Sequence, residues 1–246
     1  MKPLKNSLVF SALLCIPAAS ATADFVGINI GISHWAPNLS GSFNSDNDTS
    51  IDLNNDLDIN DPSQTSLVLI LEHPIPLLPN VKYQNLELEA SGTKTLERTI
   101  TFNGELFNSN RKVTSTHDLS HDDMVLYYEI LDNWVNLDLG IDIKRFNGQI
   151  GINNNNIAID QTLPLLYISA RFDLPFTGFY AGAEVNHLNI GDDNANDSTF
   201  LVGYESSIGL GIEGGMRTFS LDLDDTNNVD TNIKYEGFYL NGFFHF

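Results

Sequence analysis

Two short runs of histidine and aspartate are the first places to look for chemistry: His117-Asp118, then His121-Asp122-Asp123. A carboxylate beside an imidazole orients the ring and favours its charged form, which is the arrangement of a general base. Both runs lie near the start of a strand-like segment, at the expected outer rim of the fold. A hydrolytic site would use His117, Asp118, His121 and Asp122; the plainer alternative is a wet polar rim. No Gly-x-Ser-x-Gly element accompanies them. The spacing matches no metal-binding motif, and nothing calls for a cofactor.

A second acidic group fills the polar block Asn44 to Pro62. Asp46, Asp48, Asp52, Asp56, Asp58 and Asp61 offer hard oxygen ligands for calcium or for a cation bridging to lipopolysaccharide. The glycine and closing glutamate of an EF-hand are missing, so the alternative is a solvated loop.

A third group is scattered through segments that alternate strictly between apolar and polar residues. Val135, Leu137, Leu139, Ile141 and Ile143 interleave with Asn136, Asp138, Gly140, Asp142 and Lys144. Successive side chains of a strand point to opposite faces, so the charges share one face and the aliphatic groups the other. The same phasing places Glu72, Glu129, Asp138, Asp142, Lys144, Arg171, Glu184, Glu205, Glu213 and Arg217 on one side. Charges inside a barrel wall are costly unless paired, so Lys144, Arg171 and Arg217 are each expected to bridge two or more carboxylates. Such a lumen is a structural plug, or a narrow cation-preferring pore lined by spare carboxylates.

The elements that must hold these residues are ten strands, with eight as the alternative count. They run about Asp24–Trp35, Thr65–His73, Val81 onward into a long hairpin, Asp118–Leu131, Val135–Lys144, Ile159–Phe172, Phe179–Val185, Thr199–Glu205, Ile208–Leu223 and Asn232–Phe246. Long polar connections alternate with tight turns, the pattern of a closed antiparallel transmembrane β-barrel. In the ninth segment the apolar face switches from Ile208–Met216 to Phe219, Leu221 and Leu223, which predicts a bulge or a continuation above the membrane. Trp35, Tyr127, Tyr128, Trp134, Tyr167, Phe172, Phe176, Phe179 and Tyr180 are candidates for interface girdles. The last segment, FYLNGFFHF, would be an aggregation hazard as an exposed edge, and makes sense as the strand that closes a barrel against lipid.

Composition agrees. Met1–Ala23 has the basic start, short apolar run and Ala21-Thr22-Ala23 ending of a signal peptide, with residues 24–246 as the mature barrel. Cys15 is the only cysteine, so the exported chain would have no disulfide. The formal net charge of −20 argues against nucleic acid and against a polybasic lipid-binding surface.

Leu71-Glu72-His73-Pro74-Ile75-Pro76-Leu77-Leu78-Pro79-Asn80, Gly214-Gly215-Met216-Arg217 and the final Phe246 carry a resemblance across most of the mature chain. The sequence resembles a family of small, uncharacterised outer-membrane β-barrel proteins of Gram-negative bacteria. That resemblance implies delivery by periplasmic chaperones and assembly by the barrel-assembly machinery. The machinery would read the closing strand through Phe238, Leu240, Gly242, Phe244 and Phe246, with Gly242 one place from the expected glycine. Lipid and lipopolysaccharide are the expected surroundings. The family carries no known activity, so the expectation is a non-enzymatic barrel, structural or forming a narrow solute pore. The His/Asp runs are similar in residue type and level to the rim of the ten-stranded omptin proteases, which gives the hydrolase alternative. An adhesion or cation-binding role for the acidic loops is a third.

Overall fold

A computed structural model describes residues 26–45, 49–75, 77–226 and 229–246. The predicted signal segment, Asp46 and Asp48 lie outside these. In chain order the strands are β1 (Gly27–Ser45), β2 (Ile51–Asp52), β3 (Gln64–Glu72), β4 (Asn80–Leu86), β5 (Glu89–Thr95), β6 (Ile100–Phe102), β7 (Glu105–Phe107), β8 (Lys112–Asp118) and β9 (His121–Leu131). They continue with β10 (Val135–Phe146), β11 (Gly148–Ile152), β12 (Asn155–Ile159), β13 (Thr162–Asp173), β14 (Phe179–Ile190), β15 (Asp193–Glu205), β16 (Leu210–Thr226) and β17 (Val229–His245).

Ten of them close a barrel in the order β1-β3-β4-β9-β10-β13-β14-β15-β16-β17, and β17 pairs back onto β1. Every pair is antiparallel, and the closing ladder runs from Asn29 opposite His245 to Ser45 opposite Val229. Closure leaves no open edge, which a strand in hydrocarbon requires because no water is there to satisfy its backbone. The turn at Ser206–Gly209 shows how tightly one end is stitched. His245 N donates to Gly209 O at 2.8 Å. Gly209 has φ +79, and a Cβ there would sit 1.9 Å from His245 O. Only glycine fits.

The outer face of the turn-side half is an apolar band. Ile32, Leu166, Ile168, Phe200, Val202, Ile212 and Leu240 are all exposed, as are Phe238 and Phe244 of the closing strand. Trp134 against Phe172, and Phe179 against Tyr204, form aromatic contacts near the turns. With Tyr128 and Phe176 these make the expected girdle. The other girdle candidates do not belong to it: Trp35, Tyr127, Tyr167 and Tyr180 are each no more than 3% exposed and fill the interior.

Above this band the pattern inverts. On β16, Gly214 and Met216 share the lipid phase, while Phe219, Leu221 and Leu223 take the opposite phase and are buried. The strand passes through with no register break between them. The face switch is therefore a continuation beyond the membrane, not a bulge. The same exchange occurs on β1, where exposed Ile30 and Ile32 give way to buried Trp35, Leu39 and Phe43, and on β17, where Val229, Ile233 and Tyr235 are buried and Phe238 and Leu240 exposed. Below the exchange lipid takes the apolar side chains. Above it they can be removed from water only by pointing inward.

They meet a folded cap, which corrects the expectation of solvated acidic loops. The chain leaves the wall at 87–88 and 119–120, and again at Asn147 and 160–161. The excursions form a second sheet, β12-β11-β8-β5, and the β6-β7 hairpin. Phe43 packs edge-on against Phe102 at 5.7 Å, and Phe219 stacks on Tyr235 at 6.0 Å. Ile51, Leu53, Leu57 and Ile59, from the polar block itself, join this core. The block is thus a turn with a buried aliphatic side. Asp52 Oδ1 accepts from the amides of Asn54 and Asn55 at 3.0 and 2.7 Å. Asp56 makes a two-pronged pair with Arg98 at 2.6 and 2.8 Å. Burial alone would push the Asp56 carboxyl up; Arg98, the Asp52 amide and Lys94 together more than offset it and hold it below the usual range. Asp58 is exposed with φ 54. Among the described residues no group of three or more His, Cys, Asp or Glu side chains could hold a metal ion.

His117 lies on β8 inside the cap, fully buried, its Nδ1 sharing a hydrogen bond with Tyr235 Oη at 3.1 Å. Burial pushes its imidazole down to about 4, against about 6.5 in an unfolded chain. The unfolded state therefore binds the proton first as pH falls, and the cap loses stability between pH 6.5 and 4 while staying level above 6.5. A His117→Phe variant is expected to show a shallower loss over that window, measured as amide hydrogen exchange of β8 and the upper half of β17.

Candidate functional site

The interior of the turn-side half is polar, and it contains the charged residues that phasing assigned to it. At its top, where the exchange of faces occurs, five charges are enclosed. Lys144 Nζ donates to Asp123 Oδ1 at 2.6 Å and to Asp197 Oδ2 at 3.3 Å, and lies 3.7 Å from Asp142 Oδ2. Arg217 holds Asp197 with two hydrogen bonds, Nε to Oδ1 at 2.9 Å and Nη2 to Oδ2 at 2.6 Å, and reaches Asp123 at 3.5 Å. Lys144 and Asp142 are fully buried. Two cations thus serve three carboxylates in a low-dielectric setting, Asp123 and Asp197 through hydrogen bonds and Asp142 through proximity alone, and each loss is costly. The layer joins the apolar core directly: Lys144 Nζ is 5.2 Å from the Phe219 ring and Arg217 5.0 Å from Trp35.

Below this layer is a cavity of about 390 Å³. Lys82 pairs with Glu184 at 2.5 Å across its wall. Arg171 pairs with Asp173 at 2.7 Å and reaches Glu205 at 3.8 Å, with its guanidinium 3.7 Å from the centre of the Tyr180 ring. Tyr127 Oη donates to Glu72 Oε1 at 2.8 Å, and Tyr180 Oη to Glu213 Oε2 at 3.0 Å. Glu129 and Asp138 line the cavity as well. Trp35 and Val68 at its upper end are buried, whereas Glu129, Leu131 and Asp132 at its lower end are exposed. The cavity opens at the tight-turn end and is blind at the cap end.

Glu72, Glu129, Asp138, Arg171, Glu184, Glu205, Glu213 and Arg217 line the cavity and Asp142 and Lys144 lie in the layer above it; Lys144, Arg171 and Arg217 each meet two or more carboxylates. Three principal members escaped that reading. Asp197 lies in an Asn- and Asp-rich stretch that reads as loop, yet β15 begins at Asp193. Asp123 has the inward phase of β9 but stands within the His/Asp run. Lys82 escapes because Leu86, Leu88 and Ala90, farther along the same segment, put the apolar phase on the even-numbered residues, although they are buried in the cap core and do not face lipid. Within β4, Val81 and Tyr83 were the signal that points Lys82 inward.

The His/Asp runs do not assemble as sequence proximity suggests. Neighbours on a strand face opposite ways. His121 points inward against Phe146 and Phe219, its Nδ1 donating to Leu119 O at 2.7 Å. Asp122 points outward and accepts from Tyr83 Oη at 2.8 Å and Asn85 Nδ2 at 3.0 Å. Asp118 accepts from Ser120 N and Oγ at 2.9 and 2.5 Å. His117 and His121 are not at a wet rim; each is buried.

Removing one member of the five-charge layer strands the others. Lys144→Met is expected to destabilise the barrel by about 3–5 kcal/mol, read as the midpoint of urea unfolding in detergent micelles. Lys234→Met, at the half-exposed Lys234–Glu236 pair, should leave that midpoint nearly unmoved.

No family model matches the chain. No curated protein matches it either. Among solved structures it is similar to the outer membrane protease OmpT of Escherichia coli, at 12% identity, covering 89% of this chain and 96% of that one, TM-score 0.44. It is also similar to the outer membrane protein AlkL determined in lipid bilayers, at 10% identity, 96% and 97% coverage and TM-score 0.34. A third likeness is to the toluene transporter TodX of P. putida, at 10% identity, 91% and 90% coverage and TM-score 0.27.

Proposed function

We propose that the protein is a non-enzymatic integral barrel of the bacterial outer membrane that does not conduct, and whose lumen is a blind vestibule. One observation carries the reading. The lipid-level interior ends at the Lys144–Arg217 layer, and an apolar core capped by a second sheet continues directly above it. Water and ions crossing that core would lose their hydration with nothing to replace it. Outer-membrane barrels place tight turns in the periplasm and long excursions outside. The cap then faces the exterior and the vestibule opens inward. The burial of His117 and His121, and the outward turn of Asp122, weigh against the rim hydrolase.

In planar bilayers the purified protein should give no conductance steps; ohmic current at low voltage would refute a closed lumen. On the enzymatic side, His117→Ala and His121→Ala should change no peptide-hydrolysis rate above that of buffer.

A further inference from the structure

The vestibule has a surplus of hydrogen-bond acceptors, and we propose that it binds an organic polyammonium ion, of linear di- or triamine size, entering from the turn side. This deepens the closed-barrel reading and rests on it for the side of entry. The cations that face the cavity are already engaged. Lys82 is on Glu184, Arg171 on Asp173 and Glu205, Arg217 on Asp197 and Asp123, and His245 on Glu205. Glu72, Glu129 and Asp138 are left with none of them as an ion-pair partner.

Two buried polar groups of the wall are unmet, an amide oxygen and a phenolic hydroxyl that can accept as well as donate. Asn241 is 7% exposed and lines the cavity; its Nδ2 donates to Glu213 at 3.2 Å, but its Oδ1 has no partner. Tyr239 Oη, on the same strand and in the same lining, has none either. A carboxylate or phosphate ligand would meet repulsion. A ligand with several N–H donors and positive charge satisfies the carboxylates and the amide oxygen together. The aromatic lining suits an alkyl-ammonium better than a bare metal ion. Arg171 over Tyr180, and Lys82 at 6.0 Å from Tyr167, show these rings already receiving cations. A cavity of about 390 Å³ is within the usual range for small-molecule sites.

The test is calorimetric titration of the full-length protein in lipid nanodiscs with spermidine, repeated with magnesium chloride and with the double variant Glu129→Gln/Asp138→Asn. Spermidine should bind the unaltered protein with affinity that falls as salt rises. The double variant should bind about tenfold more weakly or worse, each lost charge contact being of that order. Its urea midpoint should not fall, since the change removes like charges, so weaker binding cannot be read as misfolding. No heat from spermidine at about millimolar concentration, undiminished binding by the variant, or equal displacement by magnesium would each overturn the proposal. A barrel that conducts but binds spermidine through Glu129 and Asp138 would defeat only the closed-barrel reading. A silent barrel that ignores spermidine would defeat only this one.

Discussion

Everything in this structure depends on where apolar side chains can leave water. A closed ladder of alternating residues has two faces, and lipid surrounds only part of its height. Over that part the aliphatic groups point out and the charges point in. Beyond it, the same strands keep their register and exchange the roles of the faces. Trp35, Phe146, Phe219 and Tyr235 then come together inside the wall. The exchange occurs on β1, β16 and β17, and it divides the interior into a wet half and a dry half.

The boundary between the halves is where the enclosed charges sit. Asp142, Lys144 and Asp197 are as buried as the aromatic core that covers them, and Asp123 and Arg217 are also buried. Mutual pairing is their only substitute for water. That makes the layer both a floor for the cap and a ceiling for the vestibule. The cap in turn gives the long connections a reason to be ordered: Ile51, Leu53 and Leu57 bury their side chains against it, while Asp52 and Asp56 are spent on local turns and on Arg98.

The cavity is lined by more carboxylates than cations, and together they set a negative local potential. Its tyrosines serve two purposes: as hydroxyl donors they hold Glu72 and Glu213, and as rings they receive Arg171 and Lys82. Buried polar networks of this kind depend on every member being satisfied, which is why the unmatched Asn241 Oδ1 and Tyr239 Oη stand out.

By itself the sequence determined the barrel, its ten strands and the inward set from Glu72 to Arg217, because a two-residue period is a local property and lipid sorts it without reference to distant partners. It also marked, in the switch at Phe219, a bulge or a continuation above the membrane; the unbroken ladder decides for the continuation. Only the tertiary structure decided which charges meet. Asp197 comes from a stretch that looks like loop, and Lys82 from a strand whose phase was readable only at Val81 and Tyr83. The direction of a side chain beyond the membrane depends on whether a cap waits there, and that cap is assembled from segments far apart in the chain. The fate of His117 followed from the same cause: a histidine beside an aspartate reads as chemistry until the surrounding core takes the ring away from water.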